Sequence, residues 1–107
     1  MKKTFCFDID GVIATLVKDL EYEKAAPINN TIGLINKLYK LGHRIILFTA
    51  RGSMTKKDWR ILTEQQIESW GVHYHELKFG KPAADYYIDD KMISIPKLNK
   101  LVQKGEL

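Results

Sequence analysis

The fold is decided by the stretch KTFCFDIDGV, which occupies residues 3–12. Its β-branched and aromatic residues predict a first strand from Lys3 to Ile9, and Gly11 follows where the chain has to turn sharply. Cys6 lies inside this apolar run, so we expect a small buried side chain rather than a reactive thiol. Asp8 and Asp10 therefore stand two positions apart at the carboxyl end of a buried strand.

The rest of the chain alternates strands with helices. A continuous apolar run predicts a buried strand at 44–49, and shorter strands are predicted at 72–75 and from 85 or 86 to 88. Helices are predicted at about 29–41, about 55–70 and 96–104, and residues 12–27, which lack a clean period, are expected to form a short flap or hairpin. The predicted helix caps are Asn29, Asn30 or Thr31 for the first helix and Thr55, with Asp58 three residues later, for the second.

This alternation predicts an α/β fold. Its 107 residues suffice for one domain, residues 1–107, built on a Rossmann-like parallel sheet. Right-handed crossovers make such a sheet doubly wound, with helices on both faces.

Acidic residues gather at the predicted carboxyl edge of this sheet, where open α/β sheets bind ligands. Asp8 and Asp10 follow the first strand, and Asp89 and Asp90 follow the fourth. Carboxylates this close repel one another unless a cation or a proton lies between them. A cage of carboxylate oxygens suits Mg²⁺, so these four residues are the predicted metal ligands.

Thr49 ends the second strand at the same edge, and Lys81 precedes the fourth. A hydroxyl and an ammonium that face Mg²⁺ are the groups that a transferring phosphoryl group requires on its oxygens. Each residue alone has an ordinary explanation, as a strand end or an exposed lysine. Their order along the chain is what indicates phosphoryl chemistry.

Four short motifs in this order resemble those of the haloacid dehalogenase superfamily of phosphatases. They are FDIDGV at 7–12, FTAR at 48–51, GKP at 80–82 and YIDD at 87–90. The chain is similar to the class without a cap domain, since only residues 12–27 and one helix stand where other members insert one. The resemblance covers nearly the whole chain and implies a Mg²⁺-dependent phosphatase.

The resemblance implies a role for each acid. Asp8 matches the nucleophile that forms an aspartyl-phosphate, and Asp10 matches the acid/base that protonates the leaving oxygen and then activates water. One oxygen of Asp8 and the backbone carbonyl of Asp10 are expected to bind Mg²⁺. Asp90 is the expected further metal ligand and Asp89 a supporting residue, although the two could exchange roles.

The same resemblance extends to the phosphate and substrate. Thr49 is expected to hydrogen-bond the phosphoryl group, helped by amides near Ala50, and Lys81 to pair with the nucleophile and the phosphate, with Lys78 as its rival. Arg51 is a candidate substrate anchor, because a guanidinium binds phosphate or carboxylate through two hydrogen bonds. An Arg51 that caps a loop or pairs with an acid at the sheet edge is an equally good interpretation.

The substrate is indicated by a further resemblance. The stretch HYHELKFGKP, residues 73–82, is similar to a small capless subgroup associated with capsule and surface-polysaccharide biosynthesis. It implies a small phosphorylated metabolite, either a phosphorylated sugar or a precursor of such a polymer. An open site implies a large substrate or closure by a second subunit, so a homo-oligomer is an expected partner.

Three alternatives stay open. A nucleotidase or polynucleotide end-phosphatase fits the basic charge and the open site, although no aromatic residues interleave with basic ones to stack bases. A receiver domain that holds phosphate on an aspartate is disfavoured, because its acid pair and phosphorylated aspartate occupy other strands. A non-catalytic binding module that keeps the fold is the third alternative.

Composition limits the partners and the cellular compartment that we expect for the chain. The formal net charge of +4 comes from scattered lysines and does not indicate a nucleic-acid partner. No apolar run approaches the 18 or so residues that span a bilayer. One cysteine cannot form an internal disulfide, which fits the cytoplasm.

Overall fold

Strands and helices alternate along the chain in the computed structural model, which describes residues 2–53, 57–87 and 89–107. The described elements are β1 (Thr4–Asp8), α1 (Asn29–Lys40), β2 (Arg44–Thr49), α2 (Arg60–Ser69), β3 (Glu76–Phe79) and α3 (Ile95–Gln103), with a 3₁₀ turn at Tyr22–Lys24. The chain is therefore a small α/β domain, which confirms the predicted fold class at this level.

The three described strands form one parallel sheet in the order β1-β2-β3. Asp8 of β1 pairs with Phe48, and Thr49 of β2 pairs with Phe79 at the end of β3. The carboxyl ends of all three strands therefore lie level at one edge. This register brings the segments after β1, β2 and β3 together, as the sequence predicted for the first two.

The core lies around β2. Ile45, Leu47 and Thr49 of this strand are fully buried, and α1 packs against the strand through its apolar face. Each fully buried Ile or Leu contributes about 1.5–3 kcal/mol. The other members of the buried apolar cluster come from β1, the three helices and the loops between elements: Phe7, Ile9, Ile13, Ala14, Ile32, Leu34, Ile35, Leu38, Ile67, Val72, Leu98 and Val102.

The third strand was predicted four residues too early. Instead of pairing in the sheet, the amide of Val72 donates to Ile67 O at 3.1 Å and closes the end of α2. The amide of His73 donates to Asn36 Oδ1 at 2.8 Å. Pairing with β2 begins only at His75, whose amide donates to Ile45 O, and the strand runs on to Phe79. Consequently Gly80 and Lys81 follow a strand end directly.

The predicted fourth strand is wrong for residues 85–87, which are not in a strand, and Ile88 lies outside the described residues. The hydroxyl of Tyr87 donates to Pro82 O at 2.6 Å, and the Tyr87 ring lies under the ammonium of Lys81. These contacts join Tyr87 to residues 81 and 82 in the loop after β3.

Two local predictions were also wrong. Helix α1 begins after Ile28, an apolar residue that offers no capping oxygen, so Asn29 and Asn30 lie inside its first turn. Cys6 is exposed rather than buried, because its side chain lies on the face of β1 opposite to that of the buried Phe7. The predicted cap Thr55 lies outside the described residues.

Residues 12–27, which were predicted as a short flap or hairpin, lie in a loop with one 3₁₀ turn, and hydrogen bonds fix the base of this loop. The amides of residues 12, 13 and 14 all donate to Ile9 O, and a bridge joins Ala14 to Pro27. Leu16, farther along the loop, is 77% exposed. Among the described helices, none is long and apolar enough to cross a membrane.

Candidate active site

Asp8 and Lys81 meet at the carboxyl edge of the sheet. Lys81 Nζ lies 3.3 Å from Asp8 Oδ2, and the other oxygen, Oδ1, accepts the Ile9 amide at 2.8 Å. The backbone of Lys81 is held against β2, because its amide donates to Thr49 O at 3.2 Å. The Asp8 side chain remains 29% exposed, so an incoming group can reach it.

Asp10 is held by the guanidinium of Arg51. Arg51 Nη2 donates to Asp10 Oδ1 at 2.9 Å, and Nε donates to Oδ2 at 3.1 Å and to Oδ1 at 3.3 Å. The Arg51 side chain is fully buried, whereas that of Asp10 is 20% exposed. This two-pronged contact fixes the plane of the Asp10 carboxylate beside the Asp8 strand end.

Helix α2 supports the guanidinium from its other side. Arg51 Nη1 donates to Thr63 Oγ1 at 3.0 Å and to Gln66 Oε1 at 2.6 Å. The Gln66 amide nitrogen in turn donates to Tyr22 O at 2.8 Å. Four of the five N–H donors of Arg51 are therefore engaged by the protein itself.

Tyr22 covers the guanidinium. Its ring centroid lies 4.6 Å from Arg51 Cζ, and its ring packs edge-on against Trp59. Burial raises the pKa of Tyr22, the Asp10 carboxylate raises it further, and the Arg51 charge opposes both effects. The phenol consequently stays protonated at neutral pH and does not supply a base.

Thr49 and Ala50 hold the loop after β2. The Arg51 amide donates to Thr49 Oγ1 at 3.0 Å, and Thr49 is fully buried. The Ser53 amide donates to Ala50 O at 2.9 Å, and Ser53 Oγ donates to Lys81 O at 2.8 Å. The predicted phosphoryl contacts of Thr49 and Ala50 stay predictions.

The structure bears on two open alternatives. Lys81, rather than Lys78, lies beside Asp8; Lys78 is an exposed residue of β3 opposite Phe48. Arg51 has the arrangement of the second interpretation, a pair with an acid at the sheet edge, so its guanidinium orients Asp10 in this structure.

The predicted metal ligands are only partly brought together. Asp8 and Asp10 share the sheet edge, whereas Asp89 and Asp90 lie in an exposed turn. The Lys91 amide lowers the pKa of Asp89, helped by a hydrogen bond with Asp90. Over residues 2–53, 57–87 and 89–107, no three His, Cys, Asp or Glu side chains form a metal-binding group. The four carboxylates are therefore not assembled as a Mg²⁺ cage in the described part of the chain.

Thr63 and Gln66 were not anticipated as site residues. They lie three positions apart on the helix face that carries Trp59 and Ile67. A polar residue on an otherwise apolar inward face requires a buried partner. That signal was in the sequence, but it did not identify Arg51 as the partner.

Solved structures share this fold. A crystal structure of a protein from Vibrio cholerae matches with a TM-score of 0.75 at 25% identity, over 98% of this chain and 99% of that chain. A chain from the structure of a Pnkp1/Rnl/Hen1 complex matches with a TM-score of 0.62 at 17% identity, over 97% of this chain and 34% of that chain. No protein-family model and no curated protein matches the chain. These likenesses concern the fold, and the chemistry rests on the site residues.

Proposed function

We propose that this chain is a phosphate monoester hydrolase of the haloacid dehalogenase type, without a cap domain and with that superfamily's doubly wound Rossmann-like core. The observation that carries the proposal is the 3.3 Å ion pair between Lys81 Nζ and Asp8 Oδ2. Two residues farther on, Asp10 is clamped by the buried Arg51. A nucleophilic carboxylate beside a cation, with a second oriented acid, is the set that phosphoryl transfer through an aspartate requires.

The first step transfers the phosphoryl group to the enzyme. A carboxylate oxygen of Asp8 attacks phosphorus, the bond from phosphorus to the leaving oxygen breaks, and that oxygen takes a proton from Asp10. Arg51 directs two N–H groups at Asp10, one of which is shared between both carboxylate oxygens. Because a carboxylate has about four lone-pair positions, Asp10 keeps a free position to carry the transferred proton.

The second step releases phosphate. Asp10 takes a proton from a water molecule, whose oxygen attacks the phosphorus of the aspartyl-phosphate, and the bond to Asp8 breaks. Lys81 offsets the negative charge of the phosphoryl oxygens in both steps. Its ammonium is in place before the reaction, so it stabilises the charge that develops in the transition state without reorganisation. Mg²⁺ belongs to the proposal as a cofactor that would neutralise phosphate charge when bound.

The proposed substrate is a small phosphorylated metabolite, namely a phosphorylated sugar or another precursor of capsule or surface polysaccharide. The support is the resemblance of residues 73–82 to the subgroup associated with capsule and surface-polysaccharide biosynthesis. A cytoplasmic location and a homo-oligomer that closes the site are parts of the same proposal.

The test is hydrolysis of p-nitrophenyl phosphate by the purified chain with Mg²⁺ or with EDTA. We expect turnover that requires Mg²⁺ and falls at least about 10³-fold in Asp8→Asn, since the nucleophile is lost. The matched control is Asp85→Asn, which removes an exposed carboxylate in the described part of the chain. Asp10→Asn is expected to slow turnover about 10²-fold or more through loss of the acid/base.

A chemical trap separates mechanism from selectivity. Beryllofluoride or a slow phosphate donor should modify wild-type protein and Asp85→Asn but leave Asp8→Asn unmodified, as seen by intact mass or ¹⁹F NMR. Turnover that persists in Asp8→Asn would sink the proposed nucleophile. A stable phosphoprotein without turnover would point to a receiver-like role instead.

A further inference from the structure

The guanidinium of Arg51 joins helix α2 to the proposed acid/base. On one side its Nε and Nη2 donate to the Asp10 carboxylate. On the other side its Nη1 donates to Thr63 Oγ1 at 3.0 Å and to Gln66 Oε1 at 2.6 Å. Because a guanidinium is a planar and rigid fork, holding Nη1 from the helix also sets the orientation of the edge that faces Asp10.

Burial restricts the ways in which the guanidinium can move. The Arg51 side chain is fully buried, so bulk water does not replace a contact that is lost on one side. The ring of Tyr22 lies over the guanidinium, with its centroid 4.6 Å from Cζ. Thr63 is fully buried too, and the fully buried Ile67 fixes α2 beside it. The two α2 side chains therefore hold the guanidinium from a part of the core.

Proton donation by Asp10 depends on this orientation. Within the described residues, every hydrogen bond to the Asp10 side chain comes from Arg51. A general acid has to lie within hydrogen-bond reach of the leaving oxygen, and a displacement of about 1 Å can cost about 10²-fold in rate. A shift of the guanidinium would therefore reduce proton transfer to the leaving group.

We propose that Thr63 and Gln66 are positioning residues for proton transfer by Asp10, and that they act through Arg51. The inference rests on the proposed function and adds two residues of α2 to those on which the reaction depends. The test has to separate this role from a purely structural one, in which the two side chains only satisfy a buried arginine.

The kinetic test compares two esters that differ in their need for a proton. p-Nitrophenolate leaves without one, whereas the alkoxide of p-nitrobenzyl phosphate has to be protonated as it leaves. We take the ratio of kcat/KM for p-nitrobenzyl phosphate to kcat/KM for p-nitrophenyl phosphate, both from phosphate release. This ratio reports phosphoryl transfer to Asp8 and does not depend on the fraction of protein that is folded. We expect it to fall about 10²-fold in Asp10→Asn, about tenfold in Gln66→Met and about threefold or more in Thr63→Val.

Three further variants serve as controls. Gln65→Met, the same change at the exposed neighbour of Gln66 on α2, should leave the ratio as it is. Thr63→Ser keeps the hydroxyl that accepts from Arg51 and should restore most of the ratio lost in Thr63→Val. The double variant Asp10→Asn/Gln66→Met should have the same ratio as Asp10→Asn, because the effect of Gln66 passes through Asp10.

Each outcome decides between the roles. An unchanged ratio in Gln66→Met and Thr63→Val, with both esters still hydrolysed, would overturn the inference and leave hydrolysis at Asp8 in place. Equal losses for the two esters would assign these side chains a structural role only. A further drop in the double variant would also overturn the inference. Absence of turnover of both esters by the wild-type protein would instead refute the proposed function itself.

Discussion

Replacing Arg51 with methionine should remove a large share of the free energy of unfolding of this domain. Methionine keeps most of the length and apolar character of the side chain but none of its N–H donors. The change leaves Asp10 without its cation and leaves Thr63 and Gln66 without the donor they share. The loss is therefore electrostatic and polar rather than a loss of volume.

The magnitude follows from burial. Removing one partner of a buried ion pair costs about 3–5 kcal/mol, and the lower end applies because the Asp10 side chain is 20% exposed and regains water. The buried Thr63 hydroxyl loses one hydrogen bond, which costs about 1 kcal/mol. The sum of about 4 kcal/mol is a large share of the roughly 5–15 kcal/mol that stabilises a domain, and it would lower Tm by about 15 °C or more.

The assay is urea unfolding of four proteins: wild type, Arg51→Met, Asp10→Asn and the double variant. We expect a coupling free energy of about 2–3 kcal/mol between the two positions, since each single change leaves a group that the other had satisfied. The matched control is the same cycle on Arg44 and Glu76, which pair at 2.6 Å with side chains 51% and 38% exposed. That exposed pair should give about 1 kcal/mol or less. Equal coupling in the two cycles would refute the view that Arg51 holds Asp10 through a buried contact.

Three further changes test other parts of the structure. Lys81→Gln should lower kcat/KM for p-nitrophenyl phosphate about 10²-fold and Lys78→Gln less than about twofold, because Lys81 is the lysine beside Asp8; equal losses would contradict this. Gly52→Ala should destabilise by about 1–3 kcal/mol in thermal unfolding, since Gly52 has a φ of +86° and a Cβ would lie 3.2 Å from a backbone oxygen, whereas Gly33→Ala, in open space on α1, should stabilise by about 0.5–1 kcal/mol. Burial lowers the pKa of His43 below its ordinary 6.5, aided by nearby positive charges, so the unfolded chain binds this proton at higher pH than the folded chain. The free energy of unfolding should then fall as the pH drops below about 6.5, by at most about 1.4 kcal/mol per pH unit. Denaturant titrations of His43→Asn at several pH values should show a weaker dependence on pH. An unchanged dependence would argue against His43 as its source.

Strand β2 could be predicted to the residue, because a short continuous apolar run is typical of a strand buried inside a parallel sheet. Its four apolar residues at 45–48 lie between Arg44 and Thr49, and the observed strand is Arg44–Thr49. The third strand could not be located this way. Val72 fits a strand as well as the end of a helix, and in the structure its amide closes the end of α2. The fourth strand was predicted from residue 85 or 86 to 88, but Tyr87 instead contacts Lys81 and Pro82, a local arrangement that the sequence pattern did not indicate.

The candidate site could likewise be predicted only in part. Asp8 and Asp10 share a sheet edge because both stand at the carboxyl end of β1, two positions apart, so the sequence was sufficient for that part. The partner of Arg51 depends on how α2 packs over the sheet, which brings Thr63 and Gln66 to a residue 12 and 15 positions away. Local sequence carries no information on that packing, which is why two interpretations of Arg51 were left open.

The hydrogen bonds of Gln66 affect how the loop around Tyr22 moves as well as where Arg51 is held. Its amide oxygen accepts from Arg51 while its amide nitrogen donates to the backbone of Tyr22 in the loop over the site. Rotating the amide by half a turn would face donor against donor and acceptor against acceptor, so neither bond can be exchanged alone. The loop around Tyr22 and the guanidinium should therefore open as one cooperative unit. Amide hydrogen exchange in that loop and exposure of the Asp10 clamp would then report a single opening equilibrium.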